Sequence, residues 1–411
     1  MTLPPLRNPG RSGQERLRQA GRWLVLVAAG TLAWPGREES GTSVILPALS
    51  PFIALASAIS VRTVSVLALL ALPVVGMVML YRRWFCRYGC PVGLLQEFVA
   101  ELRDRARGVG PRRRRFRWPV LGPWLVLLTF GGAGVGYPFF LWLDPLAIFH
   151  GFLNCWRAPI VLSTLLTGLG LPVLLLLDVV APRLWCQHLC PLGATQDLLA
   201  WPRRRLQLSQ RCADLDSVNS TIQTNPGRRW FLATCAGAAG ALALRAVRAE
   251  SAPVLRPPGS LDEERFTGVC VRCGNCAQVC PSKIIQPDFG DGGLPGLLAP
   301  RLRFDRDYCR EDCHRCNEVC PSGAIARLSL IDKRRRVIGR ARVDLTLCLL
   351  AQGRECTACI QKCPYQAIAM TSADGGFSNE PQVILDLCNG CGACEAVCPT
   401  HPQRAIQVHP G

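Results

Sequence analysis

Cys270-Val271-Arg272-Cys273-Gly274-Asn275-Cys276-Ala277-Gln278-Val279-Cys280-Pro281 decides how the last third of the chain folds. The run reads C-x2-C-x2-C-x3-C-P, the spacing with which a tight loop offers three thiolates to an iron–sulfur cubane and sends a fourth away on a Cys-Pro turn toward a neighbouring cluster. The plan recurs at Cys309, Cys313, Cys316 and Cys320, at Cys348, Cys356, Cys359 and Cys363, and at Cys388, Cys391, Cys394 and Cys398, with starts 39, 39 and 40 residues apart. Pro281, Pro321, Pro364 and Pro399 close the four runs, and strand signals such as Ala324-Ile325 and Ala367-Ile368 follow. The fourth run keeps the spacing of the first, the second widens the first gap by one, and the third opens it to seven residues, a place where such loops absorb insertions. Gly274, Gly390 and Gly392 let the backbone curl close to the cluster. Sixteen ligands and four 4Fe-4S clusters are expected, paired either first with fourth and second with third or between sequential neighbours.

Two other uses of cysteine are weaker on spacing. Local disulfides among thiols two or three residues apart would be strained, and zinc sites seldom use the C-x2-C-x2-C-x3-C-P run.

The chain has 411 residues, 49% of them hydrophobic, and a mean hydropathy of +0.20, which points to more than one domain and to a membrane portion. The formal charge is +18, yet residues 251–411 carry 19 Lys and Arg against 17 Asp and Glu, so nearly all the excess lies in residues 1–250, beside apolar runs. No basic stripe with interleaved aromatics appears, and nucleic acid is not an expected partner.

In residues 1–200 the expectation is an all-α polytopic membrane module. Candidate spans are 20–38, Val64–Tyr81, Val120–Leu143 and Pro159–Ala181, with 43–60 a re-entrant or interfacial piece in contact with membrane lipid. Arginine-rich flanks place 1–22, 82–117 and 182–229 in the cytoplasm. An internal repeat runs through this region. Cys86-Arg87-Tyr88-Gly89-Cys90-Pro91 answers to Cys186-Gln187-His188-Leu189-Cys190-Pro191, and Leu49-Ser50-Pro51 to Leu143-Asp144-Pro145. Each unit reads as span, far-side proline turn, span and Cys-x3-Cys-Pro at the cytoplasmic face.

Cys86, Cys90, Cys186 and Cys190 read equally as a four-thiolate or thiol redox site and as packed helix ends stopped by proline, the members of each pair sharing a helix face. His150, in the far-side turn, reads as a packed residue or as a proton acceptor at a quinone site. Cys212 reads as a spare ligand or an ordinary thiol, and Cys155 and Cys235 as core residues.

Residues 201–226 read as a cytoplasmic linker, 227–250 as a twin-arginine-like signal or an anchor helix, and 251–411 as an α+β ferredoxin-like domain with duplicated cluster-binding repeats. Gly227-Arg228-Arg229-Trp230-Phe231-Leu232 before an Ala/Gly-rich apolar run carries the signal reading, which puts the last domain on the far side of the membrane.

The duplicated Cys-x3-Cys-Pro hairpins resemble NapH/MauN-like membrane ferredoxin-type proteins, and Arg-Arg-x-Phe-Leu followed by four cluster motifs resembles NapG/MauM-like exported ferredoxin-type proteins. The chain looks like a fusion of the two. The NapH-like pattern has further ferredoxin motifs after its last span, where residues 194–229 offer only Cys212. The resemblance implies a multi-pass protein of the bacterial inner membrane with its ferredoxin domain in the periplasm. It implies quinol oxidation at the membrane and electron delivery through the clusters to a periplasmic redox enzyme or cytochrome, at most as a quinol dehydrogenase-type component. The alternative is a maturation factor for a periplasmic metalloenzyme. No nucleophile–base pair or open catalytic metal site is visible in the sequence.

Overall fold

Prolines set the helix starts in the amino-terminal half. In the computed structural model, which describes residues 9–34, 42–106, 119–156, 162–181, 183–203, 226–247, 254–373 and 378–410, nine of these helices concern the site. They are α1 (Pro9–Leu32), α2 (Pro51–Val61), α3 (Leu72–Leu80), α4 (Pro91–Ala106), α5 (Gly122–Gly134), α6 (Pro145–Asn154), α7 (Gly170–Val180), α8 (Pro191–Leu199) and α9 (Pro226–Val247). Ser50 and Asp144 are extended N-caps, each followed by proline at the first helical position, where the missing N–H is no loss. Ser50 Oγ accepts from Ile53 N at 3.3 Å, and Asp144 Oδ1 accepts from Leu146 N at 2.9 Å and Ala147 N at 3.2 Å. The two caps then join, Ser50 Oγ donating to Asp144 Oδ2 at 2.5 Å with both residues fully buried. The two sequence repeats therefore face one another through their corresponding turns.

The expected all-α polytopic membrane module is not what forms. Among the described residues no single helix is long and apolar enough to cross a membrane. The candidate spans are cut by the residues that start and stop helices. Pro73 divides Val64–Tyr81 into a 3-10 turn (Val66–Ala71) and the nine-residue α3. The glycines at 131, 132 and 134 end α5 after 13 residues, and 159–181 breaks near Gly168 and Gly170 before the 11-residue α7. α1 has length, but its first three turns carry Arg11, Glu15, Arg16 and Arg18. Thr42–Ala48 and Pro51–Val61 reach a membrane-like length and composition only together, and they are bent by 87°.

The separation of faces fails as well. Cys90, Val92, Cys190 and Leu192 share one core with Phe52, Leu146, Ala147 and Phe149, so the Cys-Pro turns are not held a bilayer away from the proline turns. The segment read as a signal or anchor helix forms α9, which packs on another helix. It lies against α5 so closely that a Cβ at Gly131 would sit 2.0 Å from the Thr234 carbonyl oxygen, and one at Gly237 2.3 Å from that of Leu128. Most of the linker read at 201–226, and Cys212 with it, lies outside the described residues.

The α+β reading of the last domain matches the structure. Each cysteine loop runs into a short helix, Asn275–Gln278, Arg315–Glu318, Ala358–Lys362 and Ala393–Val397. Among the described residues six strands make three antiparallel pairs: β1 (Ile285–Pro287) with β2 (Pro300–Leu302), β3 (Arg340–Val343) with β6 (Ile406–His409), and β4 (Ile368–Ala373) with β5 (Ser378–Val383). In the second half β4 and β5 form the inner hairpin while β3 and β6 close the outside. The first half repeats this with β1–β2 inside and a Ser260–Ile325 bridge outside. Ile285, Ile325, Ile368 and Ile406, one behind each Cys-Pro turn, are all buried in the common core.

The two regions meet at α6. Asn154 Nδ2 donates to the Cys273 carbonyl at 2.8 Å, His150 Nε2 hydrogen-bonds Asn275 Oδ1, and Val271 and Cys273 join the helical core. Arg265 Nη2 adds a bond to the Ser60 carbonyl at 2.7 Å. Asn154→Ala leaves the Cys273 carbonyl unpaired and is expected to cost about 1–3 kcal/mol, read as a lowered midpoint in denaturant unfolding. An unchanged midpoint would show that the joint does not depend on this bond.

Candidate metal centres

The sixteen cysteines gather into four quartets, and none is drawn wholly from one sequence run. One cavity, of about 560 Å³, is lined by Cys270, Cys273, Cys276 and the distant Cys320 (centre I). A second is lined by Cys309, Cys313, Cys316 and Cys280 (centre II), and a third by Cys388, Cys391, Cys394 and Cys363 (centre IV). Cys348, Cys356 and Cys398 act electrostatically on Cys359, completing centre III. The last cysteine of each run thus crosses to its partner run. The pairing is first with second and third with fourth, the sequential alternative.

The turn after each crossing cysteine explains the Ile-bearing signals. Ile325 N donates to Cys320 Sγ at 3.4 Å and Ala367 N to Cys363 Sγ at 3.3 Å. Backbone N–H groups of Ile284 and Ile285 do the same for Cys280, and those of Ala405 and Ile406 for Cys398. The isoleucine anchors the strand in the core while the backbone beside it turns a donor toward sulfur. The glycines serve a related end. Gly274 and Gly392 take φ of +79° and +83°, and a Cβ on Gly392 would fall 2.2 Å from the Phe304 ring, so they admit neighbouring side chains rather than the cluster alone.

The donor set fits iron–sulfur clusters. Burial pushes the Cys309 and Cys359 thiols up to about 11 and Cys391 up to about 12, with neighbouring cysteines adding to the rise, and it raises Cys273 and Cys276 as well. Crowded buried thiolates need a cation between them, and ligation to iron supplies it. The sulfurs line their cavities rather than meeting at a point. Among the described residues no three His, Cys, Asp or Glu side chains stand close enough to hold a single metal ion.

Centres II and IV adjoin. Cys309 N donates to the Cys391 carbonyl at 2.9 Å, and the two thiols act on each other electrostatically. Cross-ligation couples I to II and IV to III, so the order is I, II, IV, III. One residue of this set escapes sequence reading. Lys333 opens the basic run Lys333-Arg334-Arg335-Arg336 and looks like solvated surface, yet it is fully buried, donates to the Arg310 carbonyl and sets its charge beside Cys309.

Cys86, Cys90, Cys186 and Cys190 also come together, each thiol within electrostatic reach of others of the set. His150 is fully buried, and burial lowers its pKa to about 4 against the raising effect of its Asn275 bond, so it is a neutral imidazole at the joint with centre I. Cys155 is buried and Cys235 exposed.

Cys320→Ser is expected to weaken the centre that Cys270→Ser weakens and to spare the one that Cys309→Ser weakens, read by electron paramagnetic resonance of the reduced protein. The reverse grouping would refute the crossing. Lys333→Met is expected to make centre II harder to reduce in a redox titration, since it removes a buried positive charge. An unchanged midpoint would remove Lys333 from the site.

Comparison with known proteins agrees with this layout. A family model described as a 4Fe-4S dicluster domain matches residues 269–324, which hold the first two runs, and residues 354–401, which hold the fourth run and the last three cysteines of the third. A second, described as a 4Fe-4S binding domain, matches residues 63–110 and 162–209. The ferredoxin-type protein NapG of Escherichia coli K12 is 36% identical over 215 residues, 47% of this chain and 90% of that protein. The methylamine utilization ferredoxin-type protein MauM of Methylobacillus flagellatus is 35% identical over 193 residues, 44% of this chain and 80% of that one. The ferredoxin-type protein NapF of Escherichia coli K12 is 34% identical over 156 residues, 38% and 86% of the two chains. No solved structure matches. Over about half its length the chain belongs to the family of ferredoxin-type electron-transfer proteins that includes NapG and MauM.

Proposed function

We propose that the chain is a membrane-attached electron carrier that takes electrons from quinol and delivers them to a periplasmic redox enzyme or cytochrome. The observation that carries this reading is the unbroken order of the four centres, with centre I joined to the helical region through Asn154 and His150 and centre III at the other end of the row. When bound, 4Fe-4S clusters supply one-electron exchange at potentials set by hydrogen bonds and exposure. The protein's own part is to hold sixteen sulfurs, aim backbone N–H groups at the four crossing ones, and keep water from the inner centres. At centre I, Cys270, Cys273 and Cys276 are each under a tenth exposed, whereas at centre III Cys356, Cys359 and Cys398 are only partly buried.

Attachment to the membrane is supported by apolar side chains left exposed on one stretch in each repeat. They are Leu69, Leu72, Met79 and Leu80 on one and Val173, Leu176 and Val180 on the other. A periplasmic position is supported by Arg228 and Arg229, exposed at the start of α9 in a twin-arginine-like context. Anaerobic addition of a reduced short-chain quinol to the cluster-loaded full chain is expected to bring up the resonance signals of reduced clusters. Clusters that stay oxidised with quinol but respond to dithionite would overturn the quinol reading while leaving the carrier intact.

A further inference from the structure

The amino-terminal repeat builds a site that the four ferredoxin centres do not use. Residues 63–110 and 162–209 each bring a Cys-x3-Cys-Pro turn, and the fold sets the two turns face to face. A Cβ added to Gly193, beside Cys190, would lie 3.8 Å from Cys86 Sγ and 4.0 Å from Cys190 Cβ, so the first cysteine of one repeat touches the turn of the other. Cys90 and Cys190 are buried in the helical core with Cys186 packed against it.

Two glutamines at the same place in each repeat reach across this interface. Gln196 Nε2 donates to Cys86 Sγ at 3.1 Å, and Gln96 is paired with Cys186 at 2.7 Å, both glutamines being almost wholly buried. The pairing with Gln96 is the informative one. Drawn with a protonated thiol, its carbonyl oxygen accepts from Cys186 and its Nε2 is left buried with no partner. Turning the amide by half a rotation gives the orphan N–H the sulfur to donate to, a contact stronger to a thiolate than to a thiol, and leaves Gln96 Oε1 without a partner as Gln196 Oε1 is. Both repeats then present the same contact, glutamine N–H to sulfur. Four crowded, largely buried sulfurs set between two buried glutamine side chains are a donor set for a metal cluster. The backbone is committed to this arrangement, since Arg83 and Arg183, three residues before the first cysteine of each repeat, are both held at positive φ, +51° and +59°.

We propose that Cys86, Cys90, Cys186 and Cys190 hold a fifth iron–sulfur cluster, half of its ligands supplied by each repeat and its sulfurs hydrogen-bonded by Gln96 and Gln196. As in centres I to IV, the four thiols do not converge on a point as a single ion would demand. Ligation releases the four thiol protons. The site stands one helix from centre I. Asp144, at the start of α6, acts electrostatically on Cys90 and Cys190, while Asn154 at its end bonds Cys273, and ten residues of helix span about 15 Å. That position makes the site the point where electrons join the row, a role that rests on the carrier reading, whereas its occupancy does not.

Iron and acid-labile sulfide, measured per chain on anaerobically purified full-length protein, test the proposal. About twenty of each are expected from five clusters and about sixteen from four. Cys86→Ser/Cys186→Ser should lose about four of each and keep the resonance signals of the other centres. A wild-type count of about sixteen, or zinc at the site with no extra sulfide, overturns it, and neither measurement needs the variant to fold. Protein with about twenty iron atoms that quinol does not reduce would refute the donor while sustaining the cluster. A count of about sixteen with quinol-reducible centres would do the opposite.

Discussion

Burying four thiolates at one place is the constraint on which the rest of this structure depends. Sulfur anions repel one another and resist leaving water, so each quartet is stable only when metal sits among the sulfurs and backbone donors point at them. One short loop supplies three sulfurs without strain. The fourth is taken from a neighbouring run, and that choice ties loops almost forty residues apart into one unit. The strand pairs follow from it. Cys280 and Cys320 cross between the first two runs, which places β1 beside β2 within the crossing and leaves Ser260 and Ile325 to close the outside. Cys363 and Cys398 impose the same arrangement on β3 to β6.

The amino-terminal half meets the same problem by internal repetition. Ser50 bonds Asp144, Gln96 reaches Cys186, and Gln196 reaches Cys86. Corresponding residues of the two repeats are set against each other, so one interface is used twice. A thiol, an amide and a capping oxygen in each repeat find their partners in the other. α6 then carries this half to centre I, with a cap at one end within reach of Cys90 and Cys190 and two polar side chains at the other holding the first cysteine loop.

Much of the chemistry was legible in residue order. The sixteen ligands, the Cys-Pro exits and the isoleucines behind them are local patterns, because a loop that grips a cluster must place its thiols within a few residues. The membrane reading of residues 1–200 failed for an equally local reason. Hydropathy averages over Pro73, Gly131 and Gly168 as though helices ran through them, whereas the backbone stops or turns there. Lys333 was hidden because a lysine at the head of a basic run looks solvated, and only the fold shows that the chain closes over it.

By itself, then, the sequence determined the four cysteine runs of the last domain and the two repeats that precede it, since both are matters of spacing along the chain. Only the tertiary structure decided which run lends its fourth cysteine to which, that centre II touches centre IV through Cys309 and Cys391, and that four cysteines one hundred residues apart share a buried site. Those are relations between segments far apart in sequence. They are settled by how buried donors, acceptors and charges satisfy one another once the chain has closed.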